Sequence, residues 1–188
     1  MVDDQGEKVK AKTTFTVEEV RKGAEQFVQY AGYQLLTPTY MGFVKSDLHA
    51  KRQTEKATYE LVGVVRLKME EAVEGYSRLA AAKAAYGDGP DYVLILPPIP
   101  EYFLLEWFYE ERGRWFFELR REQFMMWLCN PERETTVCIS GAPRDRQFNQ
   151  YFAQMGRLTT GSWDAGITRR LSELLLREEI EEEKRNTP

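Results

Sequence analysis

Two acidic residues, Asp47 and Glu60, have the type and spacing that could do chemistry in this sequence. They lie in two strand-like segments, 43–50 and 58–67, on either side of a charged turn. If these strands are neighbours, we expect both carboxylates at one edge of a sheet, where the main-chain carbonyl of Leu61 would add a third oxygen. Oxygen ligands of this kind suit Mg²⁺ or Mn²⁺. The pattern therefore predicts a divalent metal held against a phosphodiester.

The elements around these acids follow a recognisable order. A helix, a Gly-Tyr strand, the Asp47 strand, a Glu-x-x-Gly strand, an amphipathic helix and an apolar strand succeed one another. This order resembles the PD-(D/E)XK nuclease superfamily, also called restriction-endonuclease-like, over about residues 19 to 98. The resemblance implies that Asp47 and Glu60 are catalytic metal ligands acting on DNA through Mg²⁺ or Mn²⁺.

The motif lacks one part, because Val62 stands where the family has the lysine of Glu-x-Lys. A valine can neither orient the attacking water nor offset charge on the phosphate. Lys45 is the best substitute, since it precedes Asp47 by two residues and shares its strand face. Poorer substitutes are Lys51, Lys56 and Arg66. Either a substitute completes a nuclease, or the domain is non-catalytic and serves in binding or assembly.

A structural interpretation of the acids stays open beside the catalytic one. An acid in a strand is often a cap or an ion-pair partner, and an unpaired buried carboxylate at Glu60 would be costly. Glu60 should therefore have a partner, either Lys45, Arg66, a metal or His49. His49 is the sole histidine and no triad forms around it, so a structural role is favoured.

Capping and turn-forming residues along the first hundred residues predict alternating helices and strands. Thr16 and Glu19 form a capping box at the start of a helix that Gly32 ends. Short strands follow at 33–36 and 43–50, then a central apolar strand at 58–67. A helix over 69–86 and a strand over 91–96 complete a parallel crossover.

Beyond Ile99 the apolar runs fit helix or strand. We expect a helix over 101–111, a strand over 114–120, a helix over 121–129, a strand over 135–140 and a helix over 145–155. The predicted fold is α/β, a mixed central sheet flanked by helices, with a restriction-endonuclease-like core and a C-terminal helical extension. The predicted divisions are a disordered leader (1–14), the nuclease-like domain (15–155), and a linker with an acidic helix (156–188).

Composition limits the classes of function. The chain has 188 residues, a net charge of −4 and two cysteines without a neighbouring histidine, which argues against a zinc site. The negative balance argues against a sequence-independent grip on duplex DNA. The polar start of the sequence shows no secretion signal or membrane span, so a cytoplasmic protein without a membrane partner is expected.

Large aromatic residues cluster between Tyr102 and Trp127, interleaved with arginines. They could stack on unpaired bases, but at this density they are more often core and oligomer interface. A stripe of Ile167, Leu171, Leu174, Leu175 and Ile180 on the last predicted helix also needs a partner surface. We therefore expect a homodimer or larger assembly.

Overall fold

The computed structural model of the chain describes residues 14–36, 40–41, 44–98, 119 and 121–153. The strands in chain order are β1 (Gln34–Leu35), β2 (Tyr40–Met41), β3 (Val44–Lys45), β4 (Leu48–Gln53), β5 (Thr58–Val65), β6 (Asp91–Leu96), β7 (Met125–Asn130) and β8 (Thr135–Ser140). The helices are α1 (Val17–Tyr30) and α2 (Ala72–Tyr86). The predicted leader, the helix over 101–111, the strand over 114–120, the linker and the C-terminal helix lie almost wholly outside the described residues.

Six of the strands form one mixed sheet in the order β1-β4-β5-β6-β7-β8. The three central strands, β5, β6 and β7, are parallel, while β1, β4 and β8 join by antiparallel pairing. The sheet has helices on both faces, and β5, α2 and β6 make the expected parallel crossover. The predicted α/β fold, with a mixed sheet flanked by helices, is confirmed.

Helix α1 covers one face of the sheet. Thr16 accepts a hydrogen bond from the backbone N–H of Glu19, whose carboxylate accepts one from the Thr16 N–H, so the predicted capping box is present. Gly32, at φ +86°, follows the end of the helix as expected. The ring of Phe27 packs edge-on against Trp127, which is fully buried. Trp127 is therefore a core residue.

Helix α2 covers the opposite face. Its Leu79 is fully buried with Val62, Val64 and Leu94 of the sheet. A short 3-10 helix, Met69–Glu71, precedes it, so the predicted helix over 69–86 begins three residues later than expected as an α-helix. Alternate residues of β5 consequently face α1 and α2. This alternation sets the face of the sheet on which Glu60 lies.

Two of the predicted elements are wrong. The strand over 43–50 is broken at Ser46 and Asp47, and its first part is β3, which pairs with β2 in a separate two-stranded sheet. The helix over 121–129 is instead strand β7, after a turn in which Gln123 has φ +60°. The segment is buried on both faces and pairs in parallel with β6, and such a strand has no alternating pattern to distinguish it from a buried helix.

The strands over 91–96 and 135–140 are confirmed. The predicted helix over 145–155 is a shorter 3-10 helix, Arg146–Tyr151, capped by the Asp145 side chain. The two cysteines, Cys129 and Cys138, are free thiols. Among the described residues, no helix has the length and apolar character needed to cross a membrane.

Candidate functional site

Asp47 lies in the break before β4, beside the end of β5. Its Oδ2 accepts a hydrogen bond of 2.8 Å from the backbone N–H of Val65, and its own N–H donates to the Gly63 carbonyl. The same oxygen lies 3.9 Å from Nη1 of Arg66. The side chain keeps about a quarter of its surface exposed. Asp47 therefore closes the end of the β4–β5 pair and remains reachable from solvent.

Arg66 lies between two carboxylates at this end of the sheet. Its Nη2 donates to Oε1 of Glu74 on α2 at 3.1 Å, and its Nη1 donates to the Val65 carbonyl. Only 11% of the Arg66 side chain is exposed, and its stem passes Gly75, where an added Cβ would lie 3.2 Å away. Its buried Nε–H has no hydrogen-bond partner in the described part of the chain. The guanidinium thus supplies a fixed positive charge between Asp47 and Glu74.

Glu60 has a different set of partners near the other end of β5. Its Oε1 lies 2.5 Å from Nε2 of His49 and accepts a 3.0 Å hydrogen bond from the Tyr86 hydroxyl. His49 is buried, and a fifth of the Glu60 side chain is exposed. Of the partners expected for Glu60, the structure gives His49. The hydrogen bond to Glu60 raises the pKa of the Tyr86 hydroxyl, because the adjacent negative charge favours the protonated form.

The strand register separates the two acids. Lys51 is the residue opposite Glu60, and it lies four positions beyond Asp47 on the same chain segment. At the rise of a β-strand this places the two acidic positions about 13 Å apart along the strands. His49, which faces Val62, lies between them. The structure puts the acids on neighbouring segments but does not bring them together.

The remaining residues of the expected site are also apart from it. Val62 is fully buried against α2, and Leu61 is buried in a strand with neighbours on both sides, Ala50 and Asp91. Lys45 is exposed on β3, outside the six-stranded sheet. Its position does not follow from a strand shared with Asp47, because that strand is interrupted.

A divalent metal needs several converging oxygen or nitrogen ligands. Within the described ranges, no group of three or more histidine, cysteine, aspartate or glutamate side chains lies close enough to hold an ion. Mg²⁺ prefers a near-octahedral oxygen set, and two acids four strand positions apart do not form a converging one. The predicted ligand set of Asp47, Glu60 and the Leu61 carbonyl does not fit a metal in this arrangement. Metal binding by either acid alone stays a prediction.

A second polar cluster was not found by the sequence analysis. Asp145, nearly fully buried, accepts a 2.7 Å hydrogen bond from Nη1 of Arg52 and a longer one from the Tyr33 hydroxyl. Arg144 donates its backbone N–H to Asp91, whose pKa burial raises above its ordinary value. Burial also raises the pKa of the Tyr33 hydroxyl. Pairs about 50 to 110 residues apart in sequence leave no local pattern, so only the fold reveals this cluster.

No family model matches the chain, and no curated protein does. The fold is similar to a crystal structure of an XisH family protein from Nostoc punctiforme, with a TM-score of 0.45, 14% identity, and coverage of 63% of this chain and 96% of that one. It is also similar to a fdxN element excision controlling factor protein from Anabaena variabilis, with a TM-score of 0.44, 16% identity, and coverage of 64% and 96%. Both TM-scores lie below 0.5, so the function proposed below is drawn from this chain's own side chains.

Proposed function

We propose that this chain is a non-catalytic restriction-endonuclease-like domain that serves in binding or assembly. One observation carries the proposal: each acid of the motif is already engaged by side chains of the chain itself. Asp47 lies beside the Arg66 guanidinium, and Glu60 is bonded to His49 and Tyr86. Both acids therefore have partners within the chain without a metal.

The physical reason lies in how metal-dependent hydrolysis works. A metal site must place a cation and an activated water at the same phosphate, and the protein supplies converging ligands and an open position. Here the cation near Asp47 is a tethered arginine, which carries no exchangeable water. The position of the family's lysine, Val62, lies inside the core. Both features favour a domain that kept the fold for binding or assembly over an enzyme that cleaves DNA.

The second candidate is the Mg²⁺- or Mn²⁺-dependent nuclease acting on DNA that the motif predicts. A specific observation favours it: Asp47 stays partly exposed, and Glu74, which shares Arg66 with it, is two-thirds exposed. In this candidate Asp47 and Glu60 would keep their catalytic roles, the Leu61 carbonyl would assist, and Lys45 would replace the missing lysine.

A cleavage assay separates the two candidates. Labelled single-stranded and duplex DNA would be incubated with the full chain and Mn²⁺, beside the Asp47→Ala and Glu60→Gln variants prepared in the same way. We expect the same background cleavage from all three proteins, with or without EDTA. Metal-dependent cleavage by the unchanged chain that Asp47→Ala abolishes would establish the nuclease and remove our proposal.

A further inference from the structure

An open cavity of about 590 Å³ lies beside the start of β5, beyond the end of β4. Its basic lining residues are Arg52, Lys56, Arg144 and Arg146, and the ring of Tyr59 forms part of its wall. Its volume falls in the range of small-molecule sites. The cavity is at the opposite end of β5 from Asp47 and Arg66, about 20 Å away along the strand. It is therefore separate from the Asp47 and Arg66 part of the motif, and Glu60 does not line it.

Two of the arginines are held in place by the polar cluster beneath the cavity. Arg52 donates from Nη1 to Asp145 and from Nη2 to Gln147, and four-fifths of its side chain is buried. Arg144 donates from Nη1 to the Gly89 carbonyl, with its Nε 3.4 Å from Asp91. A guanidinium has five N–H donors. Each arginine therefore keeps donors that the described residues do not use, and the orientation of Arg52 is fixed by its two partners.

The other two cations lie at the rim. Lys56 and Arg146 are exposed, and the charged group of neither makes a hydrogen bond or ion pair with the described part of the chain. The carboxylates in the lining are Glu55 and Asp145, and Asp145 is already paired with Arg52. Four cations against two carboxylates leave the cavity positive in a chain whose net charge is −4. The positive charge is therefore local.

We propose that this cavity binds the phosphate group of an organic phosphate. Arginine forks suit the tetrahedral oxyanion because they donate paired hydrogen bonds at set angles. The long, exposed Lys56 and Arg146 side chains close over the same anion from the rim. The phosphate has two sources with this chemistry, a free nucleotide and the 5′ end of a polynucleotide. The inference goes beyond the proposed function and does not depend on whether the chain cuts DNA.

The test is isothermal titration calorimetry of the full chain in EDTA with three probes: inorganic pyrophosphate, ATP and a 5′-phosphorylated hexadeoxynucleotide. The informative variant is Lys56→Ala with Arg146→Ala, because both side chains are exposed and their charged groups support no described contact. We expect binding of ATP or of the oligonucleotide, weakened about ten-fold or more in this variant, since charge-assisted hydrogen bonds are lost. Thermal unfolding should be unchanged.

The matched control is Lys22→Ala with Lys68→Ala, which removes two exposed cations distant from the cavity and changes the net charge equally. This control should bind like the unchanged chain. Binding of ATP without the oligonucleotide would identify a free nucleotide as the source, and the reverse would identify a polynucleotide end. No binding of ATP or of the oligonucleotide, even if pyrophosphate binds, would overturn the inference, and so would equal weakening in the control. The outcome of the DNA cleavage assay does not depend on the outcome of this titration.

Discussion

Glu60 and Val62 are two positions apart on the same strand face, yet the structure gives them different environments. Glu60 lies near the start of β5, where its carboxylate is hydrogen-bonded to His49 and Tyr86, whereas Val62 is buried under α2. In the predicted nuclease these two positions would act together on one phosphate. The environments of these two motif positions therefore depend on how far α2 extends along β5.

Val62→Lys would restore the Glu-x-Lys sequence of the motif but should not restore nuclease activity. The substitution places an ammonium where the side chain is fully buried, so we expect a loss of stability of about 3 kcal/mol or more. Urea unfolding measures the loss. Val73→Lys on the half-exposed face of α2 is the matched control and should change stability by less than about 0.5 kcal/mol. A fully stable Val62→Lys protein would contradict the placement of β5.

Asp91 makes a pH-dependent contribution to stability. Burial raises its pKa in the folded state, so the folded chain holds the proton more tightly than the unfolded chain. Its contribution is fully present below the unfolded pKa of about 3.9 and is lost as pH rises through the folded value. In urea unfolding from about pH 3 to 7, the unchanged chain should therefore lose stability relative to Asp91→Asn. The exposed Asp88→Asn is the control, and parallel curves for the unchanged chain and Asp91→Asn would refute this contribution.

At the scale of elements, the close approach of β4, β5 and β6 depends on Gly63. A Cβ built there would lie 2.9 Å from Ile95 Cδ1, 3.0 Å from Leu48 Cβ and 3.2 Å from Val93 Cγ1. All three neighbours are buried, so they have little room to move. A side chain at position 63 would therefore press against buried residues of both β4 and β6.

Gly63→Ala should therefore destabilise the chain by about 1–3 kcal/mol through overpacking. Gly89→Ala is the matched control, because a Cβ there meets nothing within 4 Å. We expect its stability to be unchanged or slightly raised. Thermal or urea unfolding of the two variants decides the matter, and equal stabilities would mean that the sheet tolerates a side chain at Gly63.

Much of the element order could be predicted from the sequence, because local signals specify it. The Thr16–Glu19 capping box, the stop at Gly87 and the apolar run 91–96 each depend on neighbouring residues only. The candidate site could not be predicted in the same way. The distance between Glu60 and Asp47 depends on the register of β4 and β5, which no local pattern specifies. The break at Ser46 is not marked by a proline or glycine at that position.

For the whole molecule, we expect a homodimer or larger assembly, although the aromatic segment and the last helix that motivate it lie mostly outside the described residues. Large apolar side chains are favoured at interface cores. Light scattering should give at least twice the 22.0 kDa chain mass. A truncated chain that ends at Gly161 then tests which segment pairs: a dimer that survives truncation places the interface in the aromatic segment. A monomeric full chain would rule out this expectation.

We propose that the acids of the motif are engaged within the chain and hold no catalytic metal. Electron paramagnetic resonance of Mn²⁺ tests it directly, because the signal of the free aqueous ion is lost when a protein binds the ion. Adding the full chain at equal concentration, with Asp47→Ala and Glu60→Gln as controls, should leave the free signal undiminished in all three samples. Loss of the signal at one ion per chain, reversed by Asp47→Ala or Glu60→Gln, would contradict the account and support a working metal site.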